Sequence, residues 1–156
     1  MSVLMRRRAI ITNNTHDDGG NGLRNISLNN QYWSGLVSNG IVTLANQAVY
    51  QKILLPLKHT ILLHSGDVVI LMVDVIRTDG LAYHGIGMCS PSVQETGIDF
   101  DYGFYYNGSA SKLGQVNSVT ITDDFEFASI GFYTRTSTVS GLQFKPHITV
   151  NGQTIF

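Results

Sequence analysis

Short runs of β-branched and aromatic residues, separated by glycine-containing turns, recur along this chain of 156 residues. Val, Ile, Thr, Tyr and Phe suit the half-buried surface of a pleated sheet. The runs are Ala9–Thr12, Ile41–Leu44, Val49–Leu55, Val68–Arg77, Leu81–Met88, Gly103–Tyr106, Val116–Thr122, Phe127–Thr134 and Leu142–Val150. No segment has a convincing amphipathic helical period, so the sequence predicts an all-β protein, either a sandwich or a barrel.

The last run carries the strongest local signal. Leu142–Val150 alternates apolar and polar residues, and Asn151-Gly152 follows it before Phe156. Asn-Gly favours a type I′ turn, because that turn needs a positive φ at both central residues. We therefore expect a closing hairpin, which leaves the N-terminal segment as the free connector. We also expect Val116–Thr122 and Phe127–Thr134 to pair as a hairpin through Asp123-Asp124.

Composition limits the classes of function. Hydrophobic residues make up 43% of the chain and charged residues 13%, with a formal net charge of −1. This near-neutral charge argues against the clustered basic face that nucleic-acid binding needs. The longest apolar stretch, Val68–Ile76, is too short for a membrane span. We therefore expect one domain, with neither nucleic acid nor membrane as a partner. Because Val68–Ile76 is apolar on both faces, we expect it to form a central strand that is covered on both sides.

Reactive and metal-binding motifs are weak. Cys89 is the single cysteine, so an intrachain disulfide is not possible, and a buried structural thiol is the expected role. The histidines form no zinc motif. A glycosidase would need two carboxylates about 5 to 10 Å apart across a cleft, and no pair in the sequence is singled out for that role. We expect the protein not to be an enzyme.

The order of several segments is similar to a known pattern. The segments that carry the similarity are Tyr32-Trp33-Ser34, Asn39–Leu44, Val49–Ile53, Leu63–Asp74, Phe127–Thr134 and Ser140–Pro146. In this order they resemble the jelly-roll carbohydrate-binding modules of bacteriophage tail, baseplate and fibre proteins. The resemblance spans about residues 24–150. It implies a single β-sandwich of jelly-roll type, with about eight to ten antiparallel strands.

The resemblance also implies a role in a virion. Residues 13–156 would form the sandwich, and residues 1–12 an attachment segment that includes the first strand. Arg6, Arg7 and Arg8 look like the arginine-rich head of phage fibre-type proteins and would dock on another virion protein. The expected protein is a fibre or decoration subunit, made in the host cytoplasm and displayed on the particle. It would be a homo-oligomer, a trimer first and a dimer second.

An aromatic stretch is the best candidate for ligand binding, since sugar-binding modules of this shape usually present aromatic rings on a concave face. Asp99–Gly108 places aromatic rings beside two carboxylates and a turn. It could form a sugar site, a subunit interface or part of the core. The candidate residues are Trp33, Tyr83, Asp99, Asp101, Tyr102, Phe104, Tyr105, Tyr106 and Asn107. Trp33 could instead anchor the core or a sheet edge.

Calcium is a weak possibility, and no other cofactor is expected. The family often holds a structural calcium through carboxylates, and the residues that could supply oxygen ligands are Asp17, Asp18, Asp123 and Asp124. Adjacent aspartates are more often exposed turn residues that accept backbone hydrogen bonds. Two functions besides the virion role stay open: a glycan-binding adhesion module and, more distantly, a glycoside hydrolase.

Overall fold

The computed structural model describes residues 21–29, 33–45, 52–77, 83–97, 99–106, 114–134 and 141–156. Within these ranges the chain forms eleven strands and no α-helix. The strands are β1 (Ile26–Asn29), β2 (Ser34–Ser38), β3 (Ile41–Leu44), β4 (Lys52–Leu63), β5 (Val68–Arg77), β6 (His84–Cys89), β7 (Tyr102–Tyr106), β8 (Asn117–Thr120), β9 (Phe125–Thr134), β10 (Leu142–Val150) and β11 (Gln153–Thr154). The predicted strand Ala9–Thr12 lies outside the described residues.

Two antiparallel sheets pack face to face. The larger has seven strands in the order β1-β2-β3-β10-β5-β8, with β11 paired to β10, and the smaller has the order β4-β9-β6-β7. The strands from β3 to β10 therefore form two four-stranded layers, β3-β10-β5-β8 and β4-β9-β6-β7, which is the two-sheet arrangement of a jelly roll. The predicted fold class is confirmed. The described residues form eleven strands, one more than the largest number expected from the sequence.

Both Asn-Gly pairs form hairpin turns. Asn39 and Gly40 have φ of 54° and 75°, and they join β2 to β3. Asn151 and Gly152 have φ of 50° and 80°, and they join β10 to β11. Positive φ at both central residues is the signature of a type I′ turn. The predicted closing hairpin is confirmed.

The predicted pairing of Val116–Thr122 with Phe127–Thr134 is wrong. Strand β8 pairs with β5 in the larger sheet, and β9 pairs with β4 and β6 in the smaller one. Between β8 and β9 the chain crosses from one sheet to the other. At the start of this crossing the backbone of Ile121 makes two hydrogen bonds with the β4–β5 turn: its N–H donates to Asp67 O and its C=O accepts from Gly66 N, each at 2.8 Å. The alternation of apolar and polar residues along a strand specifies which face of the strand is buried, but it does not specify which other strand pairs with it.

Strand β5 is central in its sheet but is not covered on both sides. It lies between β10 and β8, as a central strand should. On the outward face of β5, Val68 at the start of the strand is 39% exposed and Ile76 near its end is 52% exposed. The expectation of cover on both sides is therefore wrong for these residues.

The core lies between the two sheets and is almost entirely aliphatic and aromatic. Its largest fully buried side chains are Trp33, Phe127, Phe132, Phe144, Leu23, Leu44, Ile53, Leu55, Leu63, Leu71 and Ile86. Rings meet edge to face or tilted at its centre, where Phe132 lies 5.9 Å from Trp33 and 5.1 Å from Phe144, measured between ring centroids. These contacts join the sheets, since Phe132 belongs to β9 and Phe144 to β10.

Candidate binding surface

Strand β7 divides its aromatic rings between the two faces of the smaller sheet. Tyr102, Phe104 and Tyr106 are half-buried and pack against the core. Tyr105 lies on the other face and is 43% exposed. This division follows from the period of two in a strand. Of the three interpretations of the aromatic stretch, packing against the core applies to the first three rings, and Tyr105 is the ring that a ligand or a partner could reach.

Phe100 lies on a floor of glycines on the outer face of the smaller sheet. The floor is formed by Gly85 and Gly87 of β6, Gly103 of β7 and Gly131 of β9. A Cβ atom added at Gly131 would lie 2.5 Å from Phe100 Cε1, and atoms added at Gly87 and Gly103 would lie 2.6 and 2.7 Å from the same ring. The ring therefore packs directly on backbone, and any larger residue at these positions would displace it.

Tyr105 extends this ring layer. Its ring stacks on Phe100 with 5.5 Å between the centroids and 25° between the planes. Burial raises the pKa of the Tyr105 hydroxyl, and the negative charge of Asp99 raises it further. The hydroxyl therefore stays protonated at neutral pH and can donate a hydrogen bond. Stacked rings beside a hydroxyl and a carboxylate can hold a flat, partly apolar ligand.

A buried lysine holds the β6–β7 connection to the sheet. Lys52 begins β4 and is only 2% exposed. Its Nζ donates a hydrogen bond to the Asp99 carbonyl and lies 5.7 Å from the centre of the Phe100 ring, within range of a cation–π contact. Asp101 fixes the other side of the connection, because its Oδ2 accepts from Ser90 N at 2.7 Å.

Phe100 lies within the predicted aromatic stretch, but neither it nor Lys52 was among the individual candidate residues. One signal could have indicated the Phe100 seat. Gly85 and Gly87 alternate along β6, so one face of that strand carries no side chain at either position, and such a face admits a ring or another backbone.

Trp33 is not part of this surface. It is 1% exposed and lies in the core, so the core interpretation of this residue is the correct one. Tyr83 lies nearer the candidate surface and is half-buried, with its ring edge to face with Tyr133 at 6.0 Å. Asn107 lies outside the described residues.

The calcium candidates that the structure describes accept hydrogen bonds from their own surroundings. Asp123 accepts from the Thr122 hydroxyl at 3.3 Å. Asp124 lies 3.3 Å from the His64 ring and accepts from Ser65 N at 3.4 Å. Among the described residues no three His, Cys, Asp or Glu side chains come together as a metal site. Asp17 and Asp18 lie outside the described residues, as do Arg6, Arg7 and Arg8.

Cys89 lies at the end of β6, is fully buried and is a free thiol. Burial raises the pKa of this thiol to about 12, although the positive charge of Lys52 acts in the opposite direction. The thiolate is the reactive form of cysteine. At neutral pH the side chain is therefore an inert packing group, in keeping with its expected structural role.

No protein-family model matches this chain, and no curated protein sequence matches it. Within the described ranges, no helix is long and apolar enough to cross a membrane.

Proposed function

We propose that this protein is a structural subunit of a bacteriophage virion, in a fibre or in the decoration of the capsid or tail. The observation that carries the proposal is the pair of layers β3-β10-β5-β8 and β4-β9-β6-β7. Viral capsid and lectin domains share this jelly-roll architecture. One fold hosts many functions, so this step is an analogy between folds. The order of the sequence segments points to phage proteins in particular.

Exposed apolar side chains on the larger sheet support a subunit that assembles with copies of itself. Leu36 of β2 is 50% exposed, and Val116, just before β8, is 62% exposed. Burying such side chains against another copy would stabilise an oligomer by about 25 cal/mol per Å² of apolar surface. We propose a closed homo-oligomer, with a trimer as the first expectation, and docking of Arg6, Arg7 and Arg8 on a neighbouring virion protein.

Purified particles test the assembly proposal. Particles from a host that produces the protein are separated on a density gradient, and the chain is quantified by mass spectrometry. The expected result is a fixed copy number per particle that is a multiple of three. Replacing Arg6, Arg7 and Arg8 by Glu should abolish incorporation, whereas Arg77→Glu, a single charge reversal of the same kind on β5, should not. Absence of the chain from particles would refute the virion role.

Glycan binding is a second candidate function, and the exposed ring of Tyr105 is the observation that favours it. Apolar faces of aromatic rings can stack on the C–H face of a sugar, and the Asp99 carboxylate beside them can accept from sugar hydroxyls. A glycan array with the full-length protein tests this candidate. Tyr105→Ala should remove binding, whereas Leu62→Ala, a 50% exposed residue on β4 of the same sheet, should retain it. Equal loss in both variants would count against a site at Tyr105.

We propose binding without hydrolysis. The carboxylates of Asp101 and Asp124 accept hydrogen bonds from backbone N–H groups of neighbouring turns, which is a structural use of an acidic side chain. Incubating each glycan that binds with the protein and assaying new reducing ends tests this statement. A steady release of reducing ends would favour the hydrolase alternative.

A further inference from the structure

Strand β4 contains a large bulge that presents one lysine to solvent. Pro56 pairs with Ser129 and Ile61 pairs with Phe127, so four residues of β4 face a single residue of β9. Lys58 lies in this bulge and is exposed. Bulges redirect side chains away from the regular alternation of a sheet, and they are common beside functional sites.

A buried asparagine fixes the bulge in one conformation. Asn21 is 4% exposed, and its amide accepts from His59 N and donates to His59 O, each at 3.1 Å. The backbone of Lys58 is held as well, since its N–H donates to Gly22 O at 2.7 Å. The backbone from which Lys58 projects is therefore held in place by hydrogen bonds.

Two depressions meet at Lys58, and we name them together the basic strip. One is an open groove of about 450 Å³, lined by Arg24, Leu54, Pro56, Leu57, Lys58, Thr60, Pro91, Ala128 and Ser129. The other is a more enclosed pocket of about 290 Å³, lined by Asn21, Leu23, Asn25, Asn39, Gly40, Lys58 and Lys145. Among the described residues, no Asp or Glu lines either depression, whereas three cationic side chains do.

Lys145 is directed into the strip even though an acidic residue is its neighbour. Asp74 is its register partner on β5, but the Asp74 carboxylate bonds the His147 ring at 2.6 Å instead. The Lys145 chain leans the other way, towards the Asn39–Gly40 turn, where its Cε lies 3.7 Å from the position of a Cβ at Gly40. The arrangement keeps positive charge in the pocket.

We propose that the basic strip binds an acidic oligosaccharide, with carboxylate groups on the lysines and sugar faces on the groove floor. The lysine ammonium groups supply charge-assisted hydrogen bonds to carboxylates. The Asn39 amide can donate to and accept from hydroxyl groups, and the Asn25 amide, whose Oδ1 already accepts from Asn39 N at 2.9 Å, can donate to them. The groove floor of Leu54 and Pro56 is apolar, as a sugar C–H face requires.

The chemistry of the lining favours a saccharide over other polyanions. Single-stranded nucleic acid binding relies on aromatic side chains on which bases stack. None lines the strip within the described part of the chain, so a saccharide would be held here by polar contacts and aliphatic packing and not by ring stacking. An acidic peptide would use the lysines, but it would offer the amides of Asn25 and Asn39 only its backbone groups, whereas each sugar residue offers several hydroxyl groups.

The strip shares the outer face of the smaller sheet with the ring layer, since Leu54 of the groove floor is the register partner of Gly131. Lys58 and Tyr105 nevertheless lie on β4 and β7, the opposite edges of that sheet, with β9 and β6 between them. The acidic-sugar site therefore does not depend on the virion role or on glycan binding at Tyr105. Tyr105→Ala reports on one surface and Lys58→Glu on the other, so either proposal can fail alone.

Binding of defined polyanions to the full-length protein tests the strip. Isothermal titration uses an oligogalacturonate, a neutral oligosaccharide of the same length, a single-stranded oligonucleotide and an oligoglutamate. We expect binding of the oligogalacturonate alone, weakened by added salt because exposed charges are screened. Lys58→Glu and Lys145→Glu should each reduce affinity at least tenfold. Both residues are exposed, so both variants should fold, and Arg77→Glu is the control of equal charge change.

The remaining outcomes would overturn the proposal. Oligonucleotide or oligoglutamate binding as tight as that of the oligogalacturonate would show a general polyanion surface. Equal loss in Arg77→Glu would show an effect of net charge.

Discussion

Phe100 is held by the absence of side chains beneath it. Gly85 and Gly87 on β6, Gly103 on β7 and Gly131 on β9 remove the Cβ atoms that would otherwise fill the space of the ring. Each of these glycines adds backbone entropy to the unfolded chain. The contacts of the Phe100 ring with backbone, Tyr105 and Lys52 offset that cost. The arrangement explains why the outer face of the smaller sheet can carry a ring layer parallel to it.

Gly131→Ala should destabilise the fold by about 1–3 kcal/mol, because its Cβ would overlap Phe100 on a central strand. The control is Gly114→Ala, where the nearest atom to a Cβ lies at 3.9 Å and little change is expected. Urea unfolding followed by fluorescence measures both. Adding Phe100→Ala to Gly131→Ala should cost less than the sum of the single changes, because the overlap is then relieved. Strict additivity would contradict the seat described for Phe100.

Cys89 should resist modification in the folded state. The pKa of its thiol is raised from 9.0 to about 12 by burial, so the folded chain holds this proton more tightly than the unfolded chain does. The stability that this difference provides is fully present below pH 9 and is lost as the pH rises towards 12. A thiol reagent at pH 8 should therefore react only after denaturant is added. Rapid stoichiometric reaction of the folded protein would contradict the burial of this side chain.

At the scale of elements, the two Asn-Gly turns share backbone geometry but not side-chain bonding. Asn151 donates to the Asp67 carboxylate at 2.8 Å and accepts from Val68 N at 2.9 Å. Asp67 is fully buried, and its other oxygen accepts from His64 N at 2.8 Å. The closing hairpin is thereby joined to the β4–β5 turn. The side chain of Asn39 makes no comparable contact among the described residues.

Asn151→Ala should therefore cost more than Asn39→Ala. Both changes place Ala at a positive φ, which costs about 1 kcal/mol. Only Asn151→Ala also leaves a buried carboxylate with one partner fewer, which adds about 1–3 kcal/mol. Thermal and urea unfolding of the two variants measures the difference directly, because the shared backbone term cancels. Equal destabilisation would show that the Asp67 bond contributes nothing to stability.

At the scale of the whole molecule, sheet assignment is the property that distinguishes a jelly roll from a set of local hairpins. Ser118 is the register partner of Ile70, in the larger sheet. A local β8–β9 hairpin through Asp123-Asp124 would instead have placed Ser118 opposite Ser129. Antiparallel partners have Cα atoms about 4.5–5.5 Å apart, a separation that a disulfide can bridge.

Engineered cysteine pairs distinguish these two arrangements. The pair Ile70→Cys with Ser118→Cys should oxidise to a disulfide, detected by a mobility shift that reductant reverses. The pair Ser118→Cys with Ser129→Cys is the matched control and should stay reduced, because its members lie in different sheets. Both pairs are made in a Cys89→Ala background, because Cys89 is the register partner of Ser129 and could form a disulfide with a cysteine placed there. Oxidation of the control pair alone would contradict the observed topology.

The sequence by itself determined the local features. The Asn151-Gly152 turn was predicted from its residues, and the bounds predicted for β3, β5 and β10 are the observed ones. Strand β4 was predicted to end at Leu55, but it runs past Pro56 to Leu63, because Pro56 lies on an edge strand that tolerates the missing N–H. Turn chemistry and strand alternation depend on neighbouring residues, so a single sequence carries them.

Only the tertiary structure decided which strands pair and which side chains remain accessible. An alternating strand presents the same apolar face to any partner, so β8 could be assigned to either neighbour from its pattern alone. The seat of Phe100 needs glycines from three strands, and the basic strip needs Lys58 and Lys145 from different sheets. Trp33 became core and Tyr105 surface because packing of the two sheets covers one face of each strand. These are long-range contacts, which local residue patterns do not encode.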